Sequence, residues 1–195
     1  MTNFIETELT ESLKGLPTRT TQFGRFDKGL AYTILMKYYM HEKNWAKAEE
    51  CGRELLKAEY GYGLMDRYAD IFTLENEGNK EIIFACTEER GTNLQLWHDH
   101  ALPGNYPTKN ASIQKWDGYK VPWPFYRTFE EGDDRLSVLV GEYVGTDGVL
   151  FNEESDIAKH GNLYSGAVPV KYGEDPESTG DGSQIDLVVY RYADV

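Results

Sequence analysis

The sequence predicts a mainly α-helical protein in which one helical hairpin is followed by long structured loops and a few short β-strands. Three observations point that way. Apolar residues recur at four-residue spacing in two parallel rows, Phe26, Leu30, Ile34 and Tyr38 beside Ala31, Leu35 and Tyr39, as on a helix buried over a broad stripe. Helical periodicity is then lost, and residues 90–126 mix prolines and glycines with a dense set of aromatic rings. Short apolar or alternating runs, such as "EIIFACT", read as strands.

Taken in order, residues Thr7 to Leu13 are weakly helical, and "GLPTRTT" breaks the pattern at Pro17. The first long helix follows from Gly24. The charged, turn-prone "HEKN" interrupts it, and Asn44 is placed to cap a second helix that turns Trp45, Ala48, Leu55 and Leu56 inward, with Gly61 and Gly63 ending it. Over residues 24–60, Leu35, Tyr39 and Ala48 stand at the offsets of a tetratricopeptide (TPR) unit, although Met36 and Gly52 occupy places where that consensus has a glycine and an aromatic. A short buried strand is expected from Glu81 to Thr87. Residues 90–126 form a long loop region, and long ordered loops commonly carry function. "DDRLSVLVGEYV" alternates like a strand, 141–182 is glycine-rich and acidic around the extended "GAVPVKY", and "IDLVVYRYADV" begins as a strand and turns helical.

At 195 residues, one region spanning 1–195 around one core is the default. With 20 Lys+Arg against 33 Asp+Glu, the net charge of -13 repels phosphate backbones, so nucleic acid is excluded as a partner. Cys51 and Cys86 lack the number and spacing of a disulfide framework or zinc site and read as small buried hydrophobes. No segment has the length of a membrane span, and "MTNFIETELTESLKG" has acids where a secretory signal needs a basic start.

Catalytic and metal chemistry find little footing. His98 and His100 in "QLWHDHALPGNY" would share one face of a strand, but two ligands do not make a metal site and no third stands at a fitting spacing. Glu88, Glu89, Asp133 and Asp134 offer carboxyl pairs for glycoside hydrolysis, yet adjacent acids on so acidic a chain read as a solvated face. No GxSxG elbow poses a serine. Asp175, Asp181 and Asp186 would suit calcium by charge but lack the EF-hand order, which leaves a mobile solvated loop. The expectation is no catalytic residue, no metal and no cofactor.

What remains is the aromatic series Trp97, Tyr106, Trp116, Tyr119, Trp123 and Tyr126, interleaved with short amides and carboxylates. Sugars expose C–H faces and hydroxyl rims, so a site for them needs flat rings beside polar groups. Rings of this size also fill cores, and both readings stand at this point.

Several segments together resemble the SusD/RagB family of nutrient-binding proteins. "GRFDKGLAYTILMKYYMHEKNWAKAEE" is similar to its helix pair, with a W-x-x-A start to the second helix, and "YGYGLMDRYADIF" continues the likeness. "GNKEIIFA", "YRTFEEGDDR", "GAVPVKY" and "VVYRYADV" then match further family segments in the family's order. The resemblance implies a SusD-like fold with a TPR-type helix pair. It also implies a non-catalytic lipoprotein, lipid-anchored and surface-exposed at the bacterial outer membrane, that binds oligosaccharide and delivers it to a SusC-like TonB-dependent transporter. The aromatic loop, residues 90–126, becomes the expected ligand platform: Trp97, Tyr106, Trp116, Tyr119 and Trp123 as stacking rings, with His98, Asp99 and Asn105 as the hydrogen-bonding rim. Alternatives are a TPR-type interaction adaptor and a RagB-like peptide binder. Because no signal, lipidated cysteine or further TPR accompanies these motifs, the resemblance also implies a central fragment, prone to self-association through its apolar stripes.

Overall fold

A computed structural model describes residues 2–195. In chain order the elements are α1 (Thr2–Ser12), α2 (Lys28–His41), α3 (Trp45–Leu55), β1 (Ile82–Cys86), α4 (Trp97–Ala101), β2 (Val121–Pro122), α5 (Trp123–Tyr126), β3 (Leu139–Val140), β4 (Glu142–Val144), β5 (Leu150–Asn152), α6 (Glu153–Lys159), β6 (Gly166–Pro169) and β7 (Leu187–Arg191). The single core expected from length gives way to two compact units. The first comprises Met1–Met65, Gly78–Thr87 and Leu187–Val195, and the second Asp66–Glu77 and Glu88–Asp186.

In the first unit both hairpin helices start on side-chain caps. Asp27, buried, accepts from the Leu30 amide at 2.9 Å and with its other oxygen from the Thr20 amide at 3.1 Å. Asn44 accepts from the Lys47 amide. Each cap satisfies a donor that the first helical turn leaves unpaired. Leu35, Met36 and Tyr39 of α2 then close on Ala48 and Cys51 of α3, and Leu9 and Leu13 pack against this cluster. Removing one such side chain to alanine typically costs about 2–5 kcal/mol. Glu6 of α1 accepts from the Tyr39 hydroxyl at 2.8 Å and pairs with Lys47, which pulls its carboxyl below the usual range.

The inward row of α3 is Ala48, Cys51, Gly52 and Leu55, at three- and four-residue steps. Leu56 lies about 100° round the axis from Leu55 and faces out. Trp45, the first helical residue, is 63% exposed, so neither it nor Leu56 is the core residue that the spacing predicts. Phe26 precedes α2 and is exposed too. Gly61, with φ +64°, closes a short 3-10 turn after α3 rather than the helix itself. Cys51 is buried and its thiol is pushed up to about 11 by that burial, whereas Cys86 is exposed.

The unit's sheet joins β1 to β7 antiparallel, with Ile82 opposite Arg191 and Cys86 opposite Leu187. Glu81, immediately before β1, pairs with Arg191 at 2.7 Å and accepts from the Met65 amide at 2.7 Å through its other oxygen. The expected strand from Glu81 to Thr87 is therefore present, one residue shorter at each end, and the final segment is a strand followed by a 3-10 turn, Tyr192–Asp194.

In the second unit β6 lies between β2 and β3, with Val121 opposite Ala167 and Leu139 opposite Pro169. At Gly166 the carbonyl of Val121 occupies the space a side chain would need, so the strands approach only because this residue is glycine. The run predicted as one strand from Asp133 divides into a 3-10 turn, β3 and β4, and β4 forms a hairpin with β5. Asn152 caps α6 by accepting from the Ser155 amide. Leu102, Ile113, Trp123, Tyr143, Leu163, Ala167 and Val168 form the core.

A methyl group at Gly29 of α2 would fall on the buried Tyr62 hydroxyl, in a ring held between Tyr60 and Tyr192. Gly29→Ala is expected to lower unfolding stability by about 1–3 kcal/mol through overpacking. The same change in a Tyr62→Phe background should cost less, because the clashing oxygen is gone. Urea unfolding of the four proteins checks this, and equal losses in both backgrounds would exclude the contact as the cause.

Candidate functional site

A five-residue helix is too short to persist on its own, so α4 must be held in place by its surroundings. Gln95 and Ser183 exchange backbone hydrogen bonds, N–H to O at 3.1 and 2.8 Å. Trp97 Nε1 donates to the Pro169 carbonyl at 2.8 Å, His98 Nε2 meets the Gly173 carbonyl, and the Gly182 amide donates to Asp99 Oδ2 at 3.0 Å. Residues 95–99 are thereby tied to 169–183.

A second strap orders the platform. The amide of Trp116 donates to the Asp99 carbonyl at 2.6 Å, those of Gly118 and Tyr119 to the His100 carbonyl, and that of Asp117 to Leu102 at 3.1 Å. Asp117 takes φ +56°, which aspartate tolerates better than most residues. The turn sets Trp116 edge-on to His100 at 5.0 Å and stacks Tyr119 on His100 at 5.0 Å. Tyr119 in turn lies 5.5 Å from Trp97, and Trp97 lies 5.5 Å from Tyr172. Trp116, His100, Tyr119, Trp97 and Tyr172 form a continuous ladder of rings, of which Trp116 and Tyr119 are 47% and 45% exposed.

The ladder ends at a cavity of about 190 Å³, walled by Trp97, Tyr106 and Tyr172, with His98, Leu102 and Glu174 among its other lining residues. Burial, then the charge of Glu174, raises the Tyr106 hydroxyl above its ordinary range. Lys115 donates to the Tyr106 carbonyl at 2.7 Å, and its ammonium is lowered by burial. Beneath the site, Gln95 Nε2, His98 Nδ1 and Asp99 Oδ1 are buried without a hydrogen-bond partner. A carbonyl only accepts, so Nε2 is the donor to Gly173. Each such orphan atom costs on the order of 1–3 kcal/mol.

The structure sorts the expected site residues into three groups. Trp97, Tyr106 and His98 line the cavity, and Tyr119 and Trp116 extend from it. Asp99 and Asn105 do not line the cavity. Asp99 is buried against Gly182, and Asn105 Oδ1 accepts from Tyr143 and Asn162 at 2.9 and 2.7 Å. Trp123 is a core residue, 6% exposed, with its Nε1 donating to the Leu163 carbonyl at 2.9 Å. It also borders a wide surface groove with Tyr126, Glu142, Glu153 and Glu154. Sequence reasoning missed His100 as a stacking ring, and Tyr172 and Glu174 altogether. His100 stood in the quoted stretch but was weighed only as a ligand, and nothing local marks residues some seventy positions away.

The histidine pair sits on a helix, where residues two apart point away from each other. Among the described residues no cluster of three or more His, Cys, Asp or Glu is arranged to hold a metal ion. The acidic segment near the C-terminus is ordered around a carboxylate instead of being solvated. Asp175 is fully buried, accepting from the Glu177 and Gln184 amides at 2.8 and 3.0 Å and facing Arg90. Asp186 is buried and accepts from the Glu88 amide, and burial raises its carboxyl, whereas Asp181 is exposed.

The sequence matches no protein-family model, and no curated protein matches it. Solved structures do. A laminarin binding SusD-like protein superposes with a TM-score of 0.74 at 20% identity, over 99% of this chain and 47% of that one. A SusD superfamily protein from Parabacteroides distasonis gives 0.72 at 15% identity, over 97% and 42%. Surface glycan-binding protein A from Bacteroides thetaiotaomicron, in complex with laminarihexaose, gives 0.70 at 18% identity, over 97% and 47%. The chain has a SusD-like fold and spans a little under half the length of these structures.

The sorting of the rings has a direct consequence for stability. Trp123→Ala should destabilise the protein by about 3–5 kcal/mol. Trp116→Ala and Tyr119→Ala, at exposed positions, should stay within about 0.5 kcal/mol of the parent. Urea unfolding of the three variants decides between platform and core for each ring.

Proposed function

We propose that this protein binds oligosaccharide on the ladder from Trp116 to Trp97 without transforming it. The observation that carries the reading is the ladder itself: flat rings, two of them half exposed, running unbroken into a ring-walled cavity. Rings of this kind match the C–H faces of sugars, and the Tyr119 phenol and Trp116 indole at the exposed edge serve the hydroxyls, the Trp97 indole being held by the Pro169 carbonyl. Glycoside hydrolysis needs two flanking carboxyls. Among the described residues Glu174 is the one carboxylate lining the cavity, and its Oε2 accepts from the Lys109 and Asn110 amides.

On the strength of the SusD-like fold, the proposal extends to a surface-exposed outer-membrane lipoprotein that passes its ligand to a SusC-like TonB-dependent transporter. The α2–α3 hairpin would be its TPR-type unit. The solved neighbours described as laminarin-binding or holding laminarihexaose favour a glucan as the first ligand to try. A second reading, a TPR-type adaptor or self-association through the hairpin, has its own support. Met40, Trp45 and Leu56 are exposed and border one apolar surface groove.

A glycan array that includes laminarihexaose and a panel of peptides tests the proposal. The expected result is oligosaccharide binding that Trp116→Ala combined with Tyr119→Ala reduces at least tenfold, with circular dichroism unchanged. Peptide binding alone would replace this reading with the RagB-like one. Absence of both, with protein capture lost in Trp45→Glu, would replace it with the adaptor.

A further inference from the structure

The ring-walled cavity does not stand alone. A groove of about 700 Å³ adjoins it, bordered by Thr73, Glu75, Lys109 and Asn110, and Gly173 and Glu174 line both spaces. The same two chain segments pass from one space to the other. Tyr106 and Thr108 line the cavity and Lys109 and Asn110 the groove; likewise Tyr172 lines the cavity and Pro176 the groove. Both spaces lie within the second unit.

These segments are cross-tied at the residues the two spaces share. Glu174 Oε2 accepts from the Lys109 and Asn110 amides at 2.8 and 3.3 Å, and Asn110 Nδ2 donates to the Ser178 carbonyl at 2.8 Å. The Gly173 amide donates to the Phe72 carbonyl at 3.0 Å, which brings in the third segment of the groove. Its Thr73 comes so close that a Cβ at residue 173 would lie 3.4 Å from the Thr73 methyl. The groove is therefore already built before a ligand arrives, and occupying it costs little ordering entropy.

Its chemistry differs from that of the cavity. Among the described residues no aromatic ring lines the groove, whose side chains end in hydroxyl, amide, ammonium and carboxylate groups. Glu75 and Lys109 are exposed, and among the described residues neither side chain is held in an ion pair. Lys115 stands within charge range of Glu174, so the surroundings carry no single sign. Groups that donate beside groups that accept suit hydroxyls, which do both. Size also calls for a second space. The cavity's volume of about 190 Å³ lies below the roughly 300–1,000 Å³ of sites that enclose drug-sized ligands.

We infer that the glycan site continues past Glu174: sugar units beyond the cavity lie in the groove, where Glu75, Lys109 and Glu174 hydrogen-bond their hydroxyls. This rests on the glycan-binding reading above and adds to it a polar subsite that separates longer oligosaccharides from short ones. Rings hold one part of the chain, and polar side chains hold the part that follows.

Isothermal titration with the trisaccharide and the hexasaccharide of the glycan that binds best on the array tests this. It compares the parent with Glu75→Ala combined with Lys109→Ala, both at exposed positions. The parent should bind the hexasaccharide at least about tenfold more tightly than the trisaccharide. The double variant should lose that advantage, with its trisaccharide affinity and its circular dichroism unchanged. Equal parent affinities for the two lengths, a hexasaccharide affinity that the double substitution leaves unchanged, or an equal loss at both lengths would each overturn the groove as a subsite while leaving glycan binding intact. Failure of every oligosaccharide to bind the parent would overturn the glycan reading itself, and this inference with it.

Discussion

The site depends on one lashing: residues 95–99 bound to 169–183 by a two-way backbone bridge, an indole donor, an imidazole and a buried carboxylate. A five-residue helix has no stability of its own, so these bonds decide where Trp97 points. Their side-chain bonds join residues 72 to 83 apart in the chain, whose approach costs loop-closure entropy that local bonds would not. Once α4 is fixed, the carbonyls of its Asp99 and His100 and of Leu102 just after it receive four successive amides from Trp116 to Tyr119, and the outer rings follow. The outer rings, Trp116 and Tyr119, are thus positioned by the backbone hydrogen bonds of their own residues. That is how rings half in water hold a defined geometry.

A comparable long-range closure organises the first unit. Glu81 and Arg191 form a largely buried pair, with a backbone amide on the second carboxylate oxygen, at the point where β1 and β7 meet. A buried ion pair is a weak source of net stability, but losing one partner leaves an uncompensated charge, so the pair acts strongly against any other register. The chain leaves β1 at Cys86 and returns at Leu187, which stand opposite each other. Residues 88–186 accordingly begin and end at neighbouring points, and at their own ends Glu88 and Asp186 are joined by an amide-to-carboxylate bond.

Local signals were legible in the sequence and distant ones were not. Asn44 as a cap, the cluster of Leu35, Tyr39 and Ala48, and the strand at Ile82 all follow from neighbours within one or two turns. Trp123 could not be sorted from Trp116 by composition, since its indole partner is the carbonyl of Leu163 forty residues on. The exposure of Trp45 was hidden because helical spacing marks a face and does not say whether a partner covers it. Asp175 looked solvated among acidic neighbours, yet two amides and Arg90 converge on it in a fold that turns the loop inward. Tyr172 carried no signal, as its role is defined by Trp97.

The four tryptophans of the chain occupy three environments: Trp116 and Trp97 lie on the ladder, Trp123 in the core, and Trp45 on the outer face of the hairpin. Their indole N–H groups give four separate signals in a nitrogen-15 correlation spectrum. Titration with a neutral linear oligosaccharide should shift the Trp116 and Trp97 signals together, saturating at one concentration, while those of Trp45 and Trp123 stay in place. Movement of Trp45 or Trp123 with Trp116 and Trp97 unmoved would contradict the account.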